Sequence, residues 1–371
     1  MEVLYQNMLN ISWQMVVMWI IGGILIFLAI KKEMEPTLLL PMGFGAILVN
    51  LPVMEAGSGI KPILDHLFDI GIGGHELFPL ILFIGIGAMI DFEPLLTNPK
   101  LMLFGAAAQF GIFFTLCLAS LFGFELNDAA SIAIIGAADG PTSIFVAQEL
   151  GSSQLAAIMV AAYSYMALVP LVQPPIIKLC TTKAERRIRM EYTGKKVSKT
   201  TKILFPILVT IIVGLVAPDA VALIGFLMFG NLIRECGVLT SLSETAQKVL
   251  ANLITIFLGI TIASRMTAAE FLRPDTIMIM CLGLVAFIFD TFGGIMLAKF
   301  MNLFTKKKIN PMIGAAGISA FPMSARVVHK LGREEDNTNF LLMHSIGVNV
   351  SGQVASVIAG GLILSIVKGM M

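Results

Sequence analysis

The sequence predicts an all-α polytopic membrane protein of about 11 transmembrane helices, arranged as two inverted repeats with one broken helix each. Three observations predict it. The 371 residues are 57% hydrophobic and 13% charged, with mean hydropathy +0.89, and many apolar runs reach the roughly 18–20 residues that span a bilayer. Strand-type alternation is absent, which argues against a β-barrel. A lone carboxylate, Asp139, sits in the apolar stretch Ile134-Ile135-Gly136-Ala137-Ala138-Asp139-Gly140-Pro141-Thr142-Ser143, and a neutral copy, Met312-Ile313-Gly314-Ala315-Ala316-Gly317-Ile318-Ser319-Ala320-Phe321-Pro322, returns late in the chain.

The elements follow in order. Residues 1–34 read as a retained membrane helix, because Glu2 gives no cationic lead and the apolar run from Trp13 to Ile30 is too long for a typical signal peptide. Trp13 and Trp19 suit interfacial anchors there. Segments near 37–53, 77–90, 101–124, 129–148 and 154–177 make up a first repeat over 35–178. Those near 203–217, 219–233, 249–263, 276–301, 309–328 and 340–367 make up a second over 202–371. Segment 59–70 carries Lys61, Asp65 and Asp69 and reads as interfacial or half-inserted. Pairing it with 219–233 as incomplete crossings leaves five full spans per half plus the first helix.

Between the repeats lies a basic loop, 179–201, with Lys183, Arg186, Arg187, Arg189, Lys195, Lys196 and Lys199 against Glu185 and Glu191. The positive-inside rule makes it cytoplasmic. It is also a candidate docking surface for a soluble acidic partner. Lys306-Lys307-Lys308 is expected on the opposite side.

The halves are internally similar. Pro36-Thr37-Leu38-Leu39-Leu40-Pro41 resembles Lys202-Ile203-Leu204-Phe205-Pro206, and Phe83-Ile84-Gly85-Ile86-Gly87-Ala88 resembles Phe257-Leu258-Gly259-Ile260-Thr261-Ile262. Gly136-Ala137-Ala138 then matches Gly314-Ala315-Ala316. Paired broken helices point to the binding site of an alternating-access transporter.

A carboxylate in an apolar span is costly and marks an ion or proton pathway. Asp139 suits the N-cap of a half-helix starting at Gly140-Pro141. It also suits a cation ligand, helped by carbonyls freed at Gly136-Ala137-Ala138. The second break offers only neutral oxygens, from Asn310, Ser319 and the backbone around Gly314 to Gly317. One Asp with Ser, Asn, Thr142 and carbonyls fits a monovalent cation better than a divalent one. Tyr163 and Tyr165 are two apart on one helix, so only one faces the site. Asn349 is the matching polar feature of the second half, and Arg326 suits either snorkelling or an anionic substrate group. Asp91 and Arg265 read as segment-end charges, and Asp290 is left without a role. His66, His75, His329 and His344 lack metal spacing, while Cys117, Cys180, Cys236 and Cys281 read as buried inert thiols. A net charge of +1 carries no nucleic-acid signal.

At these residues the chain resembles the β subunits of the sodium-pumping biotin-dependent decarboxylases. The carrying motifs are Gly136-Ala-Ala-Asp139-Gly-Pro-Thr142-Ser143, Ala161-Ala-Tyr-Ser-Tyr165-Met-Ala-Leu-Val-Pro-Leu-Val-Gln-Pro-Pro175 and Asn310-Pro-Met-Ile-Gly314-Ala-Ala-Gly-Ile-Ser319-Ala-Phe-Pro-Met-Ser-Ala-Arg326. The resemblance implies a sodium and coupling site of Asp139, Tyr165, Asn310, Gly314, Ser319, Arg326 and Asn349, with Thr142 beside it. Asp139, Tyr165 and Arg326 would serve the decarboxylation, and Asp139, Thr142, Asn310, Gly314, Ser319 and Asn349 would hold sodium. It further implies a bacterial plasma membrane and a complex with a carboxyltransferase, a biotin carrier and a small single-span membrane subunit, with several copies of this chain possible. Carboxybiotin brought by the carrier would be decarboxylated here to drive sodium export. Met-Lys-Met, the biotin-attachment motif, is missing, in keeping with a separate carrier. The short N-terminus favours an acyl-CoA substrate over oxaloacetate. The competing reading is a stand-alone sodium–organic anion symporter; a passive membrane anchor has no reason to keep Asp139.

Overall fold

The computed structural model describes residues 9–52, 60–74, 76–191 and 196–370, so Glu2, His75 and Lys195 lie outside the described residues. Helices α1 (Trp13–Lys32), α2 (Pro36–Val49), α3 (Lys61–Phe68, extended to Gly73) and α4 (Leu77–Met89) open the chain. Then come α5 (Pro99–Leu121), α6 (Leu126–Ala133, extended to Ala137), α7 (Gly140–Glu149) and α8 (Leu155–Cys180). After the basic loop follow α9 (Lys199–Val216), α10 (Val221–Glu235), α11 (Thr240–Ala263) and α12 (Pro274–Phe304). A 3₁₀ segment, Pro311–Gly317, leads to α13 (Met323–Glu335), and α14 (Leu342–Met370) ends the chain. No strand occurs among the described residues. The chain is an all-α, multi-pass membrane protein.

Among the described residues seven helices, α1, α5, α8, α9, α11, α12 and α14, are long and apolar enough to cross a bilayer alone, and α3 with α4 is an eighth candidate if the pair is one broken span. Any crossings beyond these come from shorter pieces such as α2 and α10. Buried fraction orders them: 72% of the α14 window is covered by protein but only 11% of α9, so α14 is central and α9 faces lipid. The small-residue rule explains the tight crossings. A Cβ on Gly87 of α4 would lie 1.8 Å from the Leu227 oxygen, and one on Gly230 of α10 would lie 2.0 Å from the Ile84 oxygen, so these helices meet backbone to backbone.

Ion pairs sort the residues onto two faces. One face carries the basic loop, with Lys202–Glu93 at 2.5 Å, Arg234–Asp91 at 3.6 Å, Lys299–Glu185 at 3.2 Å and Lys307–Glu191 at 3.2 Å. The Lys307 contact corrects the expectation for Lys306–Lys308, because this cluster shares the face of the loop. The far face carries Lys368 bound to Glu149 at 2.6 Å and to Asp219 at 3.5 Å. Helix α10 starts beside Asp219 and ends at Arg234, so it runs from face to face rather than stopping short as expected. Segment 60–74 stays at the far face, where Arg265 stacks on Phe68 at 3.8 Å and Gly73 accepts from Gln148, in keeping with an interfacial helix.

Both breaks are hairpins that enter and leave on one face. Helices α6 and α7 close at the far face, where Asp128 accepts from the hydroxyls of Ser152 (2.6 Å) and Ser153 (2.8 Å) and from the Ser153 amide (3.0 Å). We call this hairpin 1. Pro311–Gly317 and α13 form hairpin 2, open to the loop face, where Glu335 meets Arg186 and Asp336 meets Arg189. The thiols are a further correction: Cys117 and Cys281 are exposed, and Cys180 and Cys236 half-buried. A thiol behaves as a small hydrophobe, and lipid accepts it as readily as a core does.

Candidate functional site

The two hairpin tips meet inside the bundle. The Ser319 amide donates to the Ala137 carbonyl at 2.9 Å, joining tip to tip. In hairpin 1 the 3₁₀ turn Ile134–Ala137 ends at Ala138, which adopts φ 52 and ψ 41. This left-handed conformation costs a non-glycine residue roughly 1–2 kcal/mol, so the surrounding packing holds the turn in place. The turn reverses the chain and delivers Asp139, 3% exposed, to the N-cap position of α7.

Asp139 takes the N-cap position of that helix as the sequence suggests, while its shortest contact is to a side-chain hydroxyl. Its Oδ2 accepts from the Thr142 hydroxyl at 2.6 Å, the Gln353 amide at 3.1 Å and the Ser356 hydroxyl at 3.3 Å. Gln353 and Ser356 belong to α14, as does Asn349, and the spacings of four and three residues put all three on one helix face. Asn349 ties that face to hairpin 2: its amide donates to Ala316 at 3.1 Å and to Ile318 at 2.7 Å, leaving its own Oδ1 buried without a donor. Ser319 completes the cluster, its hydroxyl donating to Gly352 at 3.0 Å. Central α14 thus carries polar groups to both tips.

Among the expected residues, Asp139, Thr142, Ser319 and Asn349 come together. The others lie apart from the carboxylate. Tyr165 donates its hydroxyl to Met280 at 2.5 Å and packs beside Gly283 and Ile135. Tyr163 is the closer tyrosine: its ring covers Gly140, whose Cβ would come within 2.3 Å of it, and its buried hydroxyl has no partner. Gly314 sits against α12, where a Cβ would lie 2.0 Å from the Gly294 oxygen. Asn310 lies at the mouth of hairpin 2 and donates to Arg186 and Ile188, both at 2.9 Å. Arg326 is exposed on α13. It lies within electrostatic reach of Glu35 at the α1–α2 link; burial raises the pKa of that glutamate while the Arg326 charge lowers it.

Asp290 gains an account. Helix α5 breaks at Ala108–Gln109, and one Asp290 oxygen accepts from the freed Ile112 amide at 3.1 Å. It serves as a cap in trans for an interrupted helix. Asp91 and Arg265 follow the ends of α4 and α11, as expected.

Oxygens of Asp139, Thr142, Ser356, Ser319 and Asn349, and Oε1 of a rotated Gln353 carboxamide, are of the hard type that a monovalent cation would take as ligands. One carboxylate balances one positive charge, so a filled site is neutral within the membrane.

The sequence model of the Na⁺-transporting oxaloacetate decarboxylase β subunit matches residues 14–367. The methylmalonyl-CoA decarboxylase subunit β of Propionigenium modestum is 48% identical over 375 residues, covering 95% of this chain and 94% of the relative. The glutaconyl-CoA decarboxylase subunit β of Acidaminococcus fermentans is 48% identical over 358 residues, covering 96% and 94%. The oxaloacetate decarboxylase β chain of Haemophilus ducreyi is 44% identical over 433 residues, covering 99% of each.

Proposed function

The chain belongs to the β-subunit family of the sodium-transporting decarboxylases and is a membrane subunit of such a translocase, and we propose that it decarboxylates carboxybiotin delivered by a partner while carrying sodium through the Asp139 site. The observation that carries this reading is the Asp139 carboxylate, buried where two opposed hairpin tips meet and held by two hydroxyls and one carboxamide N–H, all neutral.

In the chemical step the N–CO2⁻ bond of carboxybiotin breaks, its electron pair returns to the ureido nitrogen, and that nitrogen takes one proton as CO2 leaves. Arg326, exposed on hairpin 2, would hold the carboxylate of carboxybiotin before cleavage, as a guanidinium suits a carboxylate. Sodium binding neutralises Asp139 and lets the loaded tips change access. Export then follows if the basic face is cytoplasmic, as its lysines and arginines favour. The opposite senses of the two hairpins support inverted repeats over 35–178 and 202–371.

The carboxyltransferase, the biotin carrier and the small membrane subunit are the proposed partners. An acyl-CoA is the proposed substrate class, supported by the higher identity to the two acyl-CoA relatives than to the oxaloacetate chain. Similarity to subunits of decarboxylases weighs against a stand-alone symporter. Purification of the native complex tests the reading: a biotinylated carrier should accompany the chain, and a pure, transport-active single subunit would contradict it.

A further inference from the structure

Hairpin 1 closes on itself through Asp128 and the serines beside its own exit. Hairpin 2 has a different closure, made by a distant segment. Residues 181–190 of the basic loop lie across its mouth like a strap. The carbonyls of Arg186 and Ile188 each accept twice: Asn310 donates to both at 2.9 Å, and Asn339 donates to them at 3.1 and 3.3 Å. Asn310 precedes the hairpin and Asn339 follows it, so two carboxamides from its two ends grip the same pair of carbonyls. Both are fully or almost fully buried, at 0% and 1% exposed. Asn310 also caps the 3₁₀ segment by accepting from the Met312 amide at 3.1 Å. Arg186 adds a charged contact, 2.6 Å to Glu335 at the end of α13, while its other arm donates to Thr181 at 2.6 Å. Arg189 reaches Asp336 at 2.8 Å.

Losing one partner of a buried hydrogen bond leaves the other unsatisfied, which opposes separation of the strap from the hairpin. The strap and both ends of hairpin 2 are therefore held together by the same pair of carbonyls. We propose that Asn310 and Asn339 are positioning residues that couple the basic loop to hairpin 2, so that a partner docked on the loop sets the position of the hairpin tip and thereby the affinity of the sodium site. The proposal rests on the sodium reading of Asp139. It assigns Asn310 to the coupling device rather than to the sodium shell, and it adds Asn339, Arg186 and Ile188. The exit of hairpin 1 is tied instead to segment 60–74, through Gln148 and Gly73, and to Lys368 of α14 through Glu149, and among the described residues it makes no such bond to the basic loop.

The test measures the sodium concentration that gives half-maximal thermal stabilisation of the purified subunit, alone and within its complete complex. Coupling between two sites is reciprocal and is read as the ratio of the two values. The wild type should differ by at least about fivefold between the two states. Asn339→Asp keeps the size of the side chain but loses both donated bonds, and it should bring the ratio close to one while the complex still assembles. Arg186→Lys, which keeps the charge but loses the fork to Glu335 and Thr181, should lower the ratio in the same direction and serves if the first variant fails to fold. Asp128→Asn, at the self-closed mouth of hairpin 1, should leave the ratio unchanged. A wild-type ratio of one, an unaltered ratio in Asn339→Asp, or an equal loss in Asp128→Asn would overturn the coupling. Absence of any sodium response in the wild type would remove the sodium reading itself, and the coupling with it.

Discussion

Hairpin 1 and hairpin 2 share a Gly-Ala-Ala turn and differ in almost everything attached to it. Hairpin 1 holds the carboxylate, opens to the far face and is closed by its own serines. Hairpin 2 is neutral at its tip, opens to the basic face and is closed by the loop. A symmetric pair would place two like charges together at the centre of the membrane, at a Coulomb cost that a low-dielectric interior makes large. Splitting the roles avoids this. One hairpin supplies the charge and the other supplies the link to the soluble face, with α14 joining the two through Asn349, Gln353 and Ser356.

The division of roles is broken most severely by removing the charge. Asp139→Asn should abolish sodium-stimulated decarboxylation in the complete complex while carboxyl transfer to biotin continues; each step can be assayed separately. The next largest effect contrasts the packing of the two tips. Gly314→Ala drives a Cβ to 2.0 Å from the Gly294 oxygen, a backbone atom, and should cost on the order of 1–3 kcal/mol or more in detergent unfolding. Gly140→Ala meets the Tyr163 ring at 2.3 Å, a side chain that can yield in part, and should cost less. Gly225→Ala in α10 meets nothing within 4 Å and should be neutral or slightly stabilising.

Smaller shifts follow for the oxygens around Asp139. Gln353→Ala, Ser356→Ala and Ser319→Ala should each raise half-saturating sodium by about fivefold, the effect of roughly 1 kcal/mol per lost contact. An unchanged sodium dependence in any of them would remove that residue from the ligand set.

The smallest effect concerns pH at the far mouth of hairpin 1. Burial pushes the Glu76 carboxyl from its ordinary 4.5 to about 7, with the nearby Glu149 charge adding to the rise and Lys368 opposing it. A carboxyl whose pKa is raised by folding binds its proton more tightly in the folded state. Its contribution is therefore whole below pH about 4.5 and is lost as pH climbs towards about 7. Thermal midpoints should fall across that window, and Glu76→Gln should flatten the fall.

Much of this was legible in the sequence because membrane burial makes polar groups conspicuous. Asp139, its breakers Gly140 and Pro141, and the neutral echo at Gly314-Ala315-Ala316 stood out against an apolar background. Ser319 and Thr142 followed from proximity to those breaks. Gln353 and Ser356 escaped notice, although with Asn349 they form a polar stripe at helical spacing that a search of α14 by face would find. Tyr163 and Tyr165 could not be told apart by spacing alone, since the rotation of α8 about its axis decides which one meets Gly140. The hairpin form of both breaks was hidden for a different reason. A broken crossing and a re-entrant pair have the same apolar pattern, and only the contacts at their mouths distinguish them.

Transport of radioactive sodium into inverted vesicles that hold the complete complex, with decarboxylation followed in the same sample, decides whether Asp139 links the two processes. The wild-type complex should accumulate sodium as CO2 is released, and the Asp139→Asn complex should do neither. Continued CO2 release with no sodium movement in the wild type, or normal pumping by Asp139→Asn, would contradict it.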